Sequence, residues 1–123
     1  MLKLIEKPTC FPVPECQDLV IEEYIGRVNT GTGAISIARL KSGEGWTEPA
    51  QMPEFDEYTL VLAGELHVED IASGQTIVVK ANQAVIVPKG AKIRYNTPIS
   101  GGADYVAVCI PAFELKSANR EEA

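Results

Sequence analysis

Short runs of β-branched and aliphatic residues, separated by Gly, Pro, Asn and Ser, are the feature that most limits how this chain can fold. Such runs between turn residues are typical of β-sandwiches and barrels, whereas βαβ units need helical patterns between the strands. No segment has the pattern of a long helix. Eight strands are predicted, at residues 19–25, 34–40, 57–63, 65–69, 76–80, 84–87, 92–96 and 105–110. We therefore expect an all-β jelly-roll barrel.

The two ends of the chain depart from this pattern. Residues 7–14 are rich in proline and are predicted to run extended along the outside, because proline interrupts the hydrogen bonding of a sheet interior. Residues 117–123 are polar and are predicted to fray. At 123 residues and 46% hydrophobic content, the chain can bury one proper core. We predict a single domain over residues 1–123, with its core at about residues 19–113.

Charge and cysteine content limit the classes of partner and location. The net charge is −6 and no Lys/Arg cluster opposes it, so we expect neither nucleic acid nor membrane as a partner. The apolar runs are too short to cross a bilayer, and no signal-peptide pattern is present. Cys10, Cys16 and Cys109 are irregularly spaced and are predicted to be free thiols, with Cys109 packed in a strand. A cytoplasmic protein is expected.

Two groups of residues keep the spacing of a known pair of motifs. The first motif is Gly-x5-His-x-His-x3-Glu-x6-Gly, and here its positions are Gly45, Gln51, Pro53, Glu57 and Gly64. The second is Gly-x5-Pro-x-Gly-x2-His-x3-Asn, and here its positions are Asn82, Pro88, Gly90, Ile93 and Thr97. On these motifs the chain resembles the cupin superfamily over roughly residues 35–111. The resemblance implies a cupin-type double-stranded β-helix with an extended N-terminal segment.

Within the superfamily, the chain is most similar to the ethanolamine-utilization protein Q type. The similarity rests on residues 55–68 and 87–93 together with Thr97, Pro98 and Pro111. That group also departs from the histidine-rich metal site. In this sequence, Thr59 stands where the group frequently has a second acidic residue, two positions after Glu57.

Glu57 and Tyr95 are the candidate catalytic residues. Residues two apart in a strand share a face, so in the cupin register residues 57, 59, 61 and 63 face the barrel interior, as does Tyr95. A carboxylate in an apolar barrel is costly unless it is protonated, hydrogen-bonded or metal-bound. We predict that Glu57 is an acid/base or ligand contact and that Tyr95 bonds to the substrate or to Glu57. The alternative is that both are structural.

Four further residues are candidates for substrate binding. Gln51 can present its amide, Thr59 shares the face of Glu57, Arg39 can anchor an anion if it points inward, and Trp46 can cover the barrel mouth. The alternatives are an exposed loop amide for Gln51, a surface position for Arg39 and a simple plug for Trp46.

The histidine content determines the expected metal chemistry. A three-histidine, one-glutamate site needs three imidazoles, and this chain has one histidine, His67, outside the motif positions. We therefore expect no metal cofactor. An oxygen-ligated Mg²⁺ or Ca²⁺ site formed by Glu57, Gln51, Glu54 and Asp56 is the alternative.

Three functions stay open on these observations. The leading hypothesis is a metal-independent cupin that binds a small polar metabolite and performs isomerase, lyase or hydrolytic chemistry. The second is a non-catalytic accessory protein of a metabolic pathway, which the ethanolamine-type resemblance implies, and the third is an atypical metalloenzyme. We also predict a homodimer, formed through the strand at residues 19–25 and the N-terminal segment.

Overall fold

The computed structural model describes residues 1–12 and 18–120. Within them, nine strands and one short 3-10 helix form, and the predicted all-β class is confirmed. The elements are β1 Thr9–Pro12, β2 Leu19–Ile25, β3 Ser36–Ser42, β4 Trp46–Thr47, β5 Asp56–Asp70, β6 Thr76–Lys80, β7 Ala84–Val87, β8 Ile93–Thr97, β9 Ala103–Ile110 and the helix Leu115–Ala118. Across this part of the chain, no helix is long and apolar enough to cross a membrane.

Two curled sheets share the long strand β5. In the first sheet the hydrogen-bonded order is β1-β2-β3-β9-β5-β7, with every pair antiparallel. In the second, the C-terminal half of β5 pairs with β6 and β8, and β8 pairs with β4. Apolar side chains from both sheets meet inside, where Val61 and Leu66 are fully enclosed. The interior between the sheets is where a ligand site can form.

Strand β5 contains a bulge that changes which residues face the interior. It runs unbroken from Asp56 to Asp70, where two separate strands were predicted. Its register with β9 shifts between Val61 and Ala63. The extra residue of a bulge reverses the alternation of faces, so Val61 lies inside before the bulge and Leu66 lies inside after it. The prediction that Ala63 faces the interior is therefore wrong, since Ala63 is exposed.

Gly64, next to the bulge, is a glycine whose substitution we expect to be costly. Its φ is 77°, and an added Cβ would overlap the Gly102 carbonyl oxygen. Gly74 is a matched control, because its φ is 74° and nothing lies within 4 Å of an added Cβ. Gly64→Ala should lower the free energy of unfolding by about 3 kcal/mol and Gly74→Ala by about 1 kcal/mol, as measured by urea denaturation. Equal losses would show that the overlap relaxes freely.

The N-terminal segment is extended at the sheet edge, as predicted, whereas the C-terminal end is held more closely than predicted. Thr9–Pro12 forms edge strand β1 on β2, and the rest of the proline-rich segment, residues 13–14, lies outside the described residues. At the other end, the Ser117 carbonyl accepts a hydrogen bond from the Glu54 N–H at 2.8 Å, and Ala118 is fully buried. The prediction that the chain frays from residue 117 is wrong as far as Arg120; residues 121–123 lie outside the description.

Candidate functional site

The barrel interior contains a cavity of about 50 Å³. This volume holds about four water molecules or a ligand of similar size. Most of its wall is aliphatic or aromatic, and its polar lining residues include Glu48, Gln51, Glu57, Tyr95, Tyr105 and Arg120. A mostly apolar cavity with a few convergent polar groups is typical of a small-molecule site.

Glu57 of β5 and Tyr95 of β8 form a hydrogen-bonded pair in this cavity. The Tyr95 hydroxyl donates to Glu57 Oε1 at 2.9 Å, and both residues are buried. Burial raises the pKa of Glu57, while the Tyr95 hydrogen bond and the charge of Arg120 partly oppose that rise. Burial and the neighbouring Glu57 raise the pKa of Tyr95 well above its usual value. The structure thus brings the two predicted catalytic residues together.

A second buried carboxyl group, Glu48, lies in the same cavity. Only 4% of the residue is exposed, and its Oε1 accepts a hydrogen bond from the Tyr95 backbone N–H at 3.3 Å. Burial is the main cause that raises its pKa to about 8; repulsion from Glu57 adds to this and attraction to Arg120 opposes it. Near neutral pH, the cavity therefore contains a carboxyl group that can hold or release a proton.

Gln51 and Arg120 complete the polar side of the cavity. Gln51 is buried in the first motif-histidine position, and its Oε1 accepts a hydrogen bond from Arg120 Nε at 3.2 Å. Arg120 Nη2 lies 3.5 Å from Glu48 Oε2. The amide of Gln51 thus does reach the cavity, as the substrate-binding hypothesis requires, and an internal guanidinium occupies it.

Aromatic and thiol groups form other parts of the wall. The buried Trp46 lines the cavity, and its Nε1 makes no hydrogen bond to any described residue. The Tyr105 hydroxyl is paired with Ser42 Oγ at 2.8 Å.

The predicted free thiols are found at both described cysteines. Cys109 is a free thiol whose pKa is raised by burial, and Cys10 is free and exposed. Cys16 lies outside the described residues.

The remaining predicted binding residues divide into one inside the barrel and one outside. Thr59 is buried on the face of Glu57. Its hydroxyl has no hydrogen-bond partner in the described chain. It nevertheless lies close enough to Glu57 to favour the ionised form of that carboxyl group. Arg39 does not reach the cavity. Its Nε and Nη2 bind Asp104 at 2.9 and 2.6 Å, because Ala38 and Leu40 take the inward positions of β3.

The alternative metal ligands do not converge. Glu54 is exposed, and Asp56 accepts a hydrogen bond from the Lys89 N–H at 2.9 Å on the outer side of β5. His67 also lies away from the cavity, with its Nε2 3.2 Å from Glu65 Oε1. Among residues 1–12 and 18–120, no group of three or more His, Cys, Asp or Glu side chains could hold a metal ion. The proposed set of Glu57, Gln51, Glu54 and Asp56 is therefore wrong as a single site.

Two residues of the site, Glu48 and Arg120, were not predicted from the sequence. The alternation of Trp46, Thr47 and Glu48 offered a signal for the first, because residues two apart on a strand share a face. No comparable pattern marked Arg120, which lies in a short polar segment and reaches Gln51 through an isolated backbone bridge.

The chain is similar in sequence to known proteins. A family described as "Ethanolamine utilisation protein EutQ" matches residues 18–114. The chain is 38% identical over 109 residues, 89% of its length, to a protein of Myxococcus xanthus named "Endoribonuclease YbeY". It is 43% identical over 53 residues, 43% of its length, to "Acetate kinase EutQ" of Salmonella typhimurium. The chain covers only 36% and 22% of these two relatives.

Solved structures support the predicted fold. An RmlC-like cupin from Shewanella frigidimarina matches with a TM-score of 0.70, over 91% of this chain and 91% of that one. The sequences are 17% identical, so the likeness concerns the fold alone. The predicted cupin-type jelly roll is confirmed.

Proposed function

The chain belongs to the EutQ family, and on that premise we propose that it binds a small polar metabolite inside its barrel and that Glu57 performs acid–base chemistry on it. The observation that carries the proposal is the hydrogen bond from Tyr95 to Glu57 within the cavity. A buried carboxyl group with a raised pKa beside an open space is typical of acid–base sites.

Each member of the pair has a defined part in this chemistry. Tyr95 donates to Oε1 of Glu57 and fixes the orientation of the carboxyl group, which leaves Oε2 to exchange a proton with the ligand. Burial keeps the proton affinity of Glu57 high enough for this exchange. Isomerases and lyases use such proton transfers, and a three-histidine metal centre cannot be built from the single histidine of this chain.

The cavity does not have the groups that the activities in the names of these two relatives require. An endoribonuclease and an acetate kinase both act on phosphate groups, which proteins bind with several Arg or Lys side chains or with backbone N–H groups. The polar lining of this cavity instead has two carboxyl groups and one guanidinium, among the residues that the structure describes.

A non-catalytic binding or accessory role is the second candidate. One observation favours it: Arg120 already pairs with Glu48 and Gln51, so part of the polar wall is satisfied without a ligand. Such a protein would bind its ligand and release it unchanged.

Ligand screening followed by turnover measurement tests the proposal. Trp46 is the only tryptophan, so its fluorescence should report directly on cavity binding, with thermal shift as a second measure. Ligands that bind are then incubated with the protein and followed by NMR. Conversion of a ligand would support the catalytic function, and binding without conversion would support the accessory role. A complete lack of binding would overturn both candidate functions.

We also propose a cytoplasmic location. Cys10 is exposed and unpaired with another cysteine of the described chain, and Cys109 is a buried thiol. Exposed free thiols persist in reducing compartments and are oxidised elsewhere. Formation of a disulfide at Cys10 in protein isolated directly from cells would contradict this location.

We propose a homodimer formed through the outer face of β5, β7 and β9. Tyr58 is in register with Ile86 on one side and Val108 on the other, and Leu60 with Val106. These side chains form continuous apolar rows, and Tyr58, Leu60 and Ile86 are at least 42% exposed. Contiguous apolar faces of this kind are typical of interfaces. The contact predicted through residues 19–25 and the N-terminal segment would instead use the edge that β1 forms on β2.

Ile86→Asp is expected to convert this dimer to a monomer. The aspartate would place a charge within the apolar row, at its β7 end, whereas Ile77→Asp, at a similarly exposed position on β6, should have no effect. Light scattering after gel filtration should give twice 13.3 kDa for the wild type and for Ile77→Asp, and 13.3 kDa for Ile86→Asp. A wild-type mass of 13.3 kDa would refute the dimer.

A further inference from the structure

The C-terminal arm, residues 115–120, forms part of the cavity wall without belonging to either sheet. Its Arg120 lines the cavity, where Nε donates to Gln51 Oε1 at 3.2 Å and Nη2 lies 3.5 Å from Glu48 Oε2. Most of the other lining residues belong to strands β2, β3, β5, β8 and β9, whose pairing holds them in place. The arm is thus a part of the wall that can move without disrupting a sheet.

The loop at residues 51–54, on which the arm lies, is held independently by the barrel. The Gln51 N–H donates to the Ile93 carbonyl of β8, and the Ile93 N–H donates to the Gln51 carbonyl, both at 2.8 Å. At the other end of the loop, the Glu54 N–H donates to the Ser117 carbonyl of the arm at 2.8 Å. Separation of the arm therefore breaks its own bonds to the loop and leaves the loop attached to β8.

The contacts that anchor the arm are of kinds that contribute little stability. Ala118 is fully buried in an apolar cluster with Phe55 and Cys109, but its methyl group is a small part of that cluster. The side chains of Arg120 and Glu48 are 10% and 1% exposed, and the removal of both charges from water offsets much of their attraction. Segments held in this way open locally while the rest of the domain stays folded.

The cavity with the arm docked is small for a metabolite. Its volume is about 50 Å³, whereas pockets for small molecules typically enclose about 300–1,000 Å³. A ligand larger than about four water molecules therefore needs a wall of the cavity to move. Withdrawal of Arg120 would add the space that its long side chain occupies.

We propose that the C-terminal arm is a gate: Arg120 plugs the cavity while the arm is docked, and the ligand enters when the arm separates from the loop at residues 51–54. Return of the arm then excludes water from the pair formed by Glu57 and Tyr95. This assignment rests on the proposed function, because it names how access to the same cavity is controlled.

The thiol of Cys109 reports the opening of the gate. It lines the cavity and packs in the same cluster as Ala118, so the docked arm covers it. With Cys10→Ser and Cys16→Ser, Cys109 is the only thiol of the chain. Its alkylation by iodoacetamide under native conditions is then followed by mass spectrometry, and the rate measures how often the arm opens.

A pair of arm variants in this background tests the role of Arg120. Arg120→Ala removes the plug and should raise the alkylation rate of Cys109 at least about tenfold. Lys116→Ala removes an exposed cation of the same arm and should change the rate by less than about twofold. Arg120→Gln repeats the measurement in case the alanine variant does not fold.

Gly64→Ala separates the opening of the arm from global unfolding. It lies outside the arm and is expected to destabilise the whole fold, because its added Cβ would overlap the Gly102 carbonyl oxygen. If the arm opens locally, this variant should alkylate Cys109 within about twofold of the wild-type rate. If the thiol is reached only by global unfolding, its rate should rise with the loss of stability.

The outcomes decide between the gate and a fixed wall. Equal rates for wild type and Arg120→Ala, including complete protection of both, would overturn the gate. Equal increases for Arg120→Ala and Lys116→Ala, or a larger increase for Gly64→Ala, would overturn it as well. If the gate fails and a ligand still binds the wild-type cavity, the proposed function stands without it. If Cys109 shows that the arm opens and no ligand binds, the proposed function fails.

Discussion

Glu57→Gln is expected to lower the turnover of a substrate found in the screen by about 10²- to 10⁴-fold while changing its Kd only a few-fold. An amide has the shape of the carboxyl group and can still accept the Tyr95 hydrogen bond, but it cannot exchange a proton at the pH of the reaction. Turnover by NMR and Kd by Trp46 fluorescence separate the chemical step from binding.

Tyr95→Phe is the milder control. It retains the acid and removes the hydrogen bond that opposes the rise in the pKa of Glu57, so that pKa should rise further. The pH–rate profile should therefore shift to higher pH, with a loss of about tenfold in rate. Unchanged turnover of Glu57→Gln would remove Glu57 from the mechanism, and loss of binding would assign it to ligand holding.

The strands, the turns and the inward position of Glu57 could be predicted because they depend on local sequence preferences. Asn82 stands in a motif glycine position and takes a φ of 67°, which asparagine tolerates best after glycine. The alternation of β5 before its bulge placed Glu57 inside, and β8 brought Tyr95 to it. Ile93 occupies the second-motif histidine position and packs in the core.

The errors arose where long-range pairing determines the result. Ala63 follows a bulge that only the pairing with β9 produces. The orientation of Arg39 depends on which face of β3 meets the barrel, and its own alternation left both faces possible. Arg120 enters the site through contacts with Gln51, from a tail with no periodic pattern. The sequence thus predicted the acid Glu57, but it did not predict Arg120, the cation in the same cavity.

The stability of the protein is expected to fall by on the order of 4 kcal/mol between pH 5 and pH 8 because of Glu48. Burial raises the folded-state pKa of Glu48 from 4.5 to about 8, so the native state keeps a proton that the unfolded chain releases. This contribution is fully present below pH 4.5 and is lost as the pH rises towards 8. Urea denaturation at several pH values measures the slope.

Glu48→Gln is the matched control, because its side chain keeps the shape and cannot titrate. Its stability should vary much less over the same range, with a residual slope from Glu57, whose pKa is also raised by burial. Asp104 acts in the opposite direction, since its bond to Arg39 lowers its pKa, but its effect lies below pH 4. Identical slopes for the wild type and Glu48→Gln would mean that Arg120 keeps Glu48 ionised throughout, and the cavity would then hold a permanent ion pair rather than a titrating acid.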